Sequence, residues 1–227
     1  MIKLSDIENA IEKYGKYWIV FLGDSITNAS GIHPNWREII SDTLAEKLGS
    51  DNFGLRFFNF GVDGSTSKTL LANIATINDL NPDLVLLMAG VNDPYFGVDI
   101  KNHTKNIKAI ADCLGNKLIF STNPFPVNIK IQSDYQKYVS EDIKLKLPNF
   151  INLFELSKSF PNKEIYTYKS EAIPEMKIKE GDPDGLHPNI LGNAYIAKII
   201  LKEVFGIEFD PEKCWQYTLE GEKMPKY

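Results

Sequence analysis

The sequence predicts a three-layer α/β/α fold, in which a doubly wound sheet of about five parallel strands is covered by helices on both faces. Two observations support this prediction. Short apolar runs alternate along the chain with longer segments of helical periodicity, which is typical of parallel sheets. The apolar runs are also four to seven residues long and almost wholly hydrophobic, as expected for strands buried on both faces. We therefore expect a flavodoxin-like sheet within a single domain that spans residues 1–227.

Each predicted strand is one of these apolar runs, and along the chain they are Tyr17–Leu22, Leu55–Phe60, Leu84–Ala89, Lys117–Ser121 and Phe150–Leu153. The helices are recognised by apolar residues three or four positions apart and by stop signals such as Gly49, Pro82 and Gly115. They span Asn35–Leu48, Thr66–Leu80, Asp99–Leu114, Ser133–Leu147 and Leu191–Phe205. Residues 1–15 are predicted to form an amphipathic helix outside the first strand, residues 155–183 to be irregular, and residues 211–227 to form a surface tail.

The composition excludes several classes of protein. The chain has 25 basic and 30 acidic residues and a net charge of −5, so it offers no electrostatic footprint to nucleic acid. Its longest apolar runs, Tyr17–Leu22 and Leu84–Gly90, are far shorter than the ~20 residues of a membrane helix, so no membrane anchor is expected. The first residues lack the apolar region of a signal peptide, and Cys113 and Cys214 are interpreted as free thiols. We therefore expect a cytoplasmic protein.

Polar and glycine residues follow the first three predicted strands, at the sheet edge where doubly wound folds bind ligands. Ser25 ends the triplet Gly23-Asp24-Ser25, which by itself fits a turn cap as well as a nucleophile. Gly61 and Gly64 are either turn glycines or a source of backbone N–H groups close to a ligand. Asn92 either closes an Asx-turn or points its amide into the same crevice.

Asp184 and His187 share one loop directly before the last predicted helix. An acid three positions before a histidine can fold back onto the imidazole and stabilise its charged form, whereas a histidine on a loop is otherwise solvated. His33 and His103 have no comparable neighbour, and we predict that both lie on the surface. Three scattered histidines without a Cys/His cluster predict no metal site.

Taken together, these residues supply a nucleophile, backbone and amide donors, and an acid–histidine pair, which are the parts that acyl transfer needs. From about Trp18 to Phe205 the chain resembles the SGNH (GDSL-type) hydrolase family of serine esterases and lipases. Four blocks occur in the family's order: Gly23-Asp24-Ser25, Asn59–Gly64, Gly90–Asp93 and Asp184–His187. Ile26 departs from the leucine that gives the GDSL type its name.

The resemblance implies a role for each matching residue. Ser25 is the expected nucleophile, and His187, oriented by Asp184, is the expected general base. The N–H groups of Ser25 and Gly64 and the side-chain amide of Asn92 form the expected oxyanion hole. Such a mechanism requires no cofactor and no metal, and its partner is a small-molecule ester.

Substrate contacts are predicted from Asp24, beside the serine, and from Tyr95, Phe96 and Phe125, which follow the third and fourth strands. The aromatic side chains either enclose a short acyl chain or a sugar ring, or simply pack. We expect a short-chain ester such as an O-acetylated sugar. A lysophospholipase or thioesterase, an acyltransferase and a binding module without chemistry remain as alternatives, and the sequence gives no oligomeric state.

Overall fold

A computed structural model describes residues 1–49 and 53–212 of the chain. Its centre is a sheet of five parallel strands in the order β2-β1-β3-β4-β5, which is the flavodoxin-like order. The strands are β1 (Tyr17–Gly23), β2 (Leu55–Gly61), β3 (Leu84–Ala89), β4 (Leu118–Thr122) and β5 (Phe150–Ile151). The predicted fold class is confirmed.

The strand β5 is shorter than the predicted Phe150–Leu153. Asn152 ends it, because its side-chain oxygen accepts a hydrogen bond of 3.2 Å from the Glu155 N–H and so caps the next helix. Leu153 therefore belongs to that helix and not to the sheet.

Helices surround the sheet in the described part of the chain. Those before β3 are α1 (Leu4–Tyr14), which precedes β1, and α2 (Ser25–Asn28), α3 (Trp36–Leu48), α4 (Ser67–Ala72) and α5 (Ile74–Asp79), which follow it. Those after β3 are α6 (Ile100–Leu114), α7 (Ile129–Lys144), α8 (Leu153–Leu156), α9 (Asn162–Ile165) and α10 (Ile190–Phe205). None of the described helices has both the length and the hydropathy that crossing a bilayer requires.

Two of the helix predictions differ from the structure. The predicted helix Thr66–Leu80 is divided at Asn73. The side chain of Asn73 donates to the Thr69 carbonyl (3.0 Å), which a continuous helix would bond to the Asn73 backbone, and the Asn73 N–H donates to the Leu70 carbonyl. The predicted helix Ser133–Leu147 begins earlier, at Ile129, because Asn128 caps the N–H groups of Lys130 and Ile131. The segment predicted to be irregular contains α9 and short 3₁₀ turns.

Apolar side chains alternate between the two faces of the central strands and form one core on each face. Ile19 and Phe21 of β1 face the core shared with α1, α3, α7 and α10, whereas Val20 and Leu22 face the core shared with α4, α5 and α6. Residues 213–227, and with them Cys214 and most of the predicted tail, lie outside the described residues. That residues 1–227 form a single domain stays a prediction.

Candidate active site

Ser25 is the first residue of α2 and lies directly beyond the carboxyl end of β1. Two glycines allow α2 to lie this close to the sheet. A Cβ at Gly61 would come within 2.7 Å of the backbone of Thr27 and Asn28, and a Cβ at Gly23 would overlap the Thr27 side chain. Any larger residue at these two positions would displace the short helix that carries the serine.

Ser25, His187 and Asp184 form a continuous chain of hydrogen bonds. The Ser25 Oγ lies 2.8 Å from His187 Nε2, and His187 Nδ1 lies 2.8 Å from Asp184 Oδ2. The second carboxylate oxygen, Asp184 Oδ1, accepts hydrogen bonds from the backbone N–H groups of Leu186 (2.8 Å) and His187 (2.9 Å). The residues predicted to act together are thus in contact, although Ser25 and His187 are 162 positions apart.

The electrostatics of this pair favour a charged imidazole beside a charged carboxylate. Burial by itself lowers the pKa of His187, but the hydrogen bond and the charge of Asp184 outweigh it and raise that pKa above its usual value. Burial by itself raises the pKa of Asp184, yet the hydrogen bonds from His187 hold it below its usual value. The imidazolium that forms when a serine proton is taken up is therefore stabilised.

The loop that carries Asp184 and His187 is held against two neighbouring segments. The Asp184 N–H donates to the Tyr168 carbonyl and the Val127 N–H donates to the Gly185 carbonyl, each over 2.8 Å. A Cβ at Gly185 would lie 2.8 Å from the Asn128 nitrogen, so the glycine permits this close approach.

The loop after β2 connects the serine to Asn92. The Val62 N–H donates to the Gly23 carbonyl over 3.1 Å, and Asn92 Nδ2 donates to the Ser65 carbonyl over 3.0 Å. Between them lies Gly64, which has a φ of +69° and no neighbouring atom within 4 Å of the place of a Cβ. The Asn92 amide carries a second N–H besides the one bonded to Ser65, and Gly64 is exposed.

The backbone rather than the side chain of Asn92 closes the turn after β3. Its carbonyl accepts hydrogen bonds from the N–H groups of Tyr95 (3.0 Å) and Phe96 (3.1 Å). The buried side chain crosses to the neighbouring loop instead, so the Asx-turn alternative does not describe this residue.

Asp24 has no surface that a substrate could touch, so the prediction of a substrate contact is corrected. Its side chain is 0 % exposed and accepts hydrogen bonds from the Ile26 N–H (3.0 Å) and from Asn123 Nδ2 (2.8 Å). Burial is the main reason why the pKa of this carboxyl is raised to about 6. Asp24 therefore caps the N-terminus of α2 and holds the helix that begins with Ser25 against Asn123.

The three predicted aromatic contacts differ in their surroundings. Phe96 is 40 % exposed. The half-buried Tyr95 donates its hydroxyl to Asp134 over 3.2 Å. Phe125 packs against Phe154 with ring centroids 5.1 Å apart, and it belongs to the segment that is bonded to Gly185.

Two supports of the serine were not predicted from the sequence. Asn123, which follows β4, donates to Asp24 and accepts from the Val91 N–H (3.1 Å), so it joins the end of β1 to that of β3. Arg37 of α3 donates to the carbonyl groups of Thr27 and Asn28 at the end of α2. The position of Asn123 directly after a predicted strand is a sequence signal for a residue at the carboxyl edge of the sheet. No sequence pattern indicates the contacts of Arg37.

The prediction that His103 lies on the surface is wrong, whereas His33 is exposed as predicted. His103 is 0 % exposed, with Nδ1 2.8 Å from Asp93 Oδ2 and Nε2 2.9 Å from Asp142 Oδ1. The sequence signal for this contact is weak, since Asp142 merely interrupts an apolar face of α7. Among the described residues, no group of three His, Cys, Asp or Glu side chains is arranged to hold a metal ion.

Comparison with known proteins places these observations in a family. The family model of the GDSL-like lipase/acylhydrolases matches residues 19–200. No curated protein sequence matches the chain.

Solved structures with the same fold include three hydrolases of low sequence identity. A lipase/acylhydrolase from Enterococcus faecalis is 20% identical with a TM-score of 0.67, over 84% of this chain and 96% of that chain. The acetylxylan esterase Axe2 from Geobacillus stearothermophilus is 18% identical with a TM-score of 0.62, over 85% and 95%. LAE5, an alpha/beta hydrolase enzyme from the metagenome of Lake Arreo in Spain, is 17% identical with a TM-score of 0.62, over 82% and 94%.

Proposed function

Since the chain belongs to the GDSL-like lipase/acylhydrolase family and is an ester-hydrolysing enzyme, we propose that it cleaves short-chain carboxylic esters by two-step acyl transfer through Ser25. The observation that carries this proposal is the chain of two 2.8 Å hydrogen bonds from Ser25 through His187 to Asp184. Such a chain lets a serine hydroxyl lose its proton while it attacks a carbonyl carbon.

In the first step, Ser25 Oγ forms a bond to the ester carbonyl carbon while His187 Nε2 takes the hydroxyl proton. The resulting oxyanion accepts hydrogen bonds from the N–H groups of Ser25 and Gly64 and from the amide of Asn92. His187 then gives its proton to the leaving alcohol as the carbon–oxygen bond breaks. Water repeats the two proton transfers on the acyl-enzyme and releases the carboxylic acid.

The proposed substrates are esters of short acyl groups, O-acetylated sugars among them. Axe2, which shares the fold, is an acetylxylan esterase, and this supports a sugar acetate as the first substrate to try. The exposed ring of Phe96 suits stacking on a sugar. The free and exposed thiol of Cys113 suits the reducing cytoplasm, which we propose as the compartment, with no nucleic-acid partner.

A panel of p-nitrophenyl esters from acetate to palmitate, together with acetylated xylo-oligosaccharides, tests the proposal. We expect the highest kcat/KM with acetate or butyrate and loss of turnover in Ser25→Ala. An organophosphonate probe is expected to label Ser25 in the wild type and no residue in that variant. Ser140→Ala, on the exposed face of α7, is the matched serine control, and it should keep both ester turnover and labelling of Ser25.

Other outcomes would select other functions. An optimum at long chains would indicate a lysophospholipase or thioesterase. A protein that the probe labels at Ser25 but that, without the probe, hydrolyses no ester and forms product only when an alcohol acceptor is added would be an acyltransferase. A protein that is neither labelled nor active would contradict the proposal.

A further inference from the structure

A series of buried, hydrogen-bonded ionisable side chains lies next to the loops of Gly64 and Asn92. It runs from Asp93, which directly follows Asn92, through His103 on α6 to Asp142 on α7. All three side chains are 0 % exposed. None of them takes part in the acyl transfer proposed above, so their burial calls for another explanation.

Asp93 connects these three side chains to the start of α4. Its Oδ1 accepts hydrogen bonds from the Ser67 N–H (2.9 Å) and the Ser67 hydroxyl (3.1 Å). Ser67 lies three residues after Gly64, and Asn92 holds the Ser65 carbonyl over 3.0 Å. The adjacent residues Asn92 and Asp93 therefore both bond to the loop that contains Gly64. The Asn92 amide bonds to Ser65, and the Asp93 carboxylate bonds to Ser67.

His103 is the group that holds the Asp93 carboxylate in this position. A doubly protonated imidazole donates from both ring nitrogens, one to each carboxylate. Burial by itself lowers the pKa of His103, but the hydrogen bonds and charges of Asp142 and Asp93 outweigh it and raise the pKa to about 9. Without this donor, a fully buried carboxylate would lose its charged partner.

The backbone is also shaped to admit the His103 ring. Gly90 has a φ of +118°, and a Cβ there would lie 3.2 Å from His103 Cε1 and 3.1 Å from the Tyr135 ring. Glycine at the end of β3 thus provides the conformation and the space for the ring. The same position begins the turn that carries Asn92.

On the basis of the proposed function, we propose that His103 is a positioning residue for the oxyanion hole. It holds Asp93 against Ser67, and through that contact it keeps the N–H of Gly64 and the amide of Asn92 directed at the oxyanion.

Two neutral variants of the same residue test this inference. Asparagine at position 103 can place its amide nitrogen where Nδ1 lies, toward Asp93, whereas glutamine reaches the place of Nε2, toward Asp142. His103→Gln is expected to lower kcat about 10-fold to 100-fold, below the ~10²–10³ that loss of a whole donor costs. His103→Asn is expected to retain a kcat at least about tenfold above that of His103→Gln, with KM similar in both. The exposed His33→Gln is the matched control and should behave as the wild type.

A double-mutant cycle with Asn92→Ala separates positioning from general stability. If His103 acts through the oxyanion hole, His103→Gln lowers kcat by a clearly smaller factor in the Asn92→Ala background than in the wild type. Additive effects, or equal losses in the Asn and Gln variants that follow their melting temperatures, would overturn the inference.

Hydrogen exchange of the Ser67 amide, measured by NMR, gives a readout that does not depend on turnover. We expect faster exchange in His103→Gln than in His103→Asn, because only the asparagine replaces the donor to Asp93. A wild type that hydrolyses no ester of the panel would contradict the proposed function alone. In that case equal Ser67 exchange in the two variants, or slower exchange in His103→Gln, would overturn the role of His103 in holding Asp93 against Ser67, and faster exchange in His103→Gln would support it.

Discussion

Replacing Asp184 by asparagine should inactivate the enzyme while it leaves the loop in place. The reason lies in the two halves of the carboxylate. Asp184 Oδ1 accepts two backbone N–H groups, from Leu186 (2.8 Å) and His187 (2.9 Å), so an asparagine must place its carbonyl oxygen there. Its NH₂ group then occupies the place of Oδ2, 2.8 Å from His187 Nδ1, and it donates to that nitrogen.

This reversal forces the wrong tautomer on His187. With Nδ1 accepting, the ring proton moves to Nε2, which then cannot take the proton of Ser25 at 2.8 Å. The corresponding substitution in the chymotrypsin-type triad costs about 10⁴ in kcat, and we expect the same order here, or about 5 kcal/mol of transition-state stabilisation.

The assay compares kcat for p-nitrophenyl acetate with the melting temperature in wild type, Asp184→Asn and Asp182→Asn. Asp182 is the matched control, because it belongs to the same loop and its carboxylate accepts a hydrogen bond from the exposed Lys179 N–H (3.0 Å) and none from His187. We expect Asp182→Asn to keep its activity. If Asp184→Asn stays folded and retains kcat within about tenfold of the wild type, the tautomer argument and the role of Asp184 are refuted.

Three further predictions follow from the same geometry. Asn92→Ala should lower kcat by about 10²–10³ with little change in KM, and a variant that is destabilised but fully active would remove Asn92 from the oxyanion hole. The value of kcat/KM should rise with pH through the ionisation of His187 above ~6.5, since the raised pKa of His187 belongs to the base that must be neutral. A fall just above neutral pH, well below the pKa of about 9 of His103, would contradict this role. The folded-state pKa of His103 is about 9, against ~6.5 in the unfolded chain. The protonated imidazole therefore adds fully to the free energy of unfolding below pH ~6.5, and this stabilisation is lost as the pH rises through 9. Denaturant titrations should therefore show wild type losing about 3 kcal/mol more than His103→Asn between pH 6.5 and 10, and parallel curves would show that the imidazolium bound to Asp93 and Asp142 is not formed.

Metal removal gives a separate check. The proposed steps use only side chains and backbone N–H groups, so prolonged treatment with EDTA should leave hydrolysis unchanged. Loss of activity that zinc restores would contradict the mechanism.

Most of the fold followed from local patterns in the sequence. A run such as Leu84–Ala89 predicts a buried strand because nearly every side chain in it must leave water, whichever helices cover it. The parallel order then brings the residues after each strand to one edge, and this is why Ser25 and Asn92 were predicted to share a site. Asp184 and His187 are three residues apart, so their contact is also a local property.

The errors concern side chains whose role depends on distant partners. Asn73 and Asn152 stop a helix and a strand by bonding to nearby backbone groups, in competition with the periodicity used for prediction. Asp24 and Asn123 are 99 positions apart, and only the packing of β4 beside β3 turns a presumed substrate contact into a buried brace.

By itself, the sequence determined most of the strands and helices, because apolar periodicity and capping act within a few residues, and its resemblance to the SGNH hydrolases indicated the candidate catalytic residues. The environment of His103 was decided only by the tertiary structure. Its partners come from the turn after β3 and from α7, 10 and 39 positions away. A histidine on a helix is polar enough for water and, when two carboxylates meet it, stable in the core. The packing of α6 against the turn after β3 and against α7 brings those carboxylates to it, and no pattern within one segment encodes that packing.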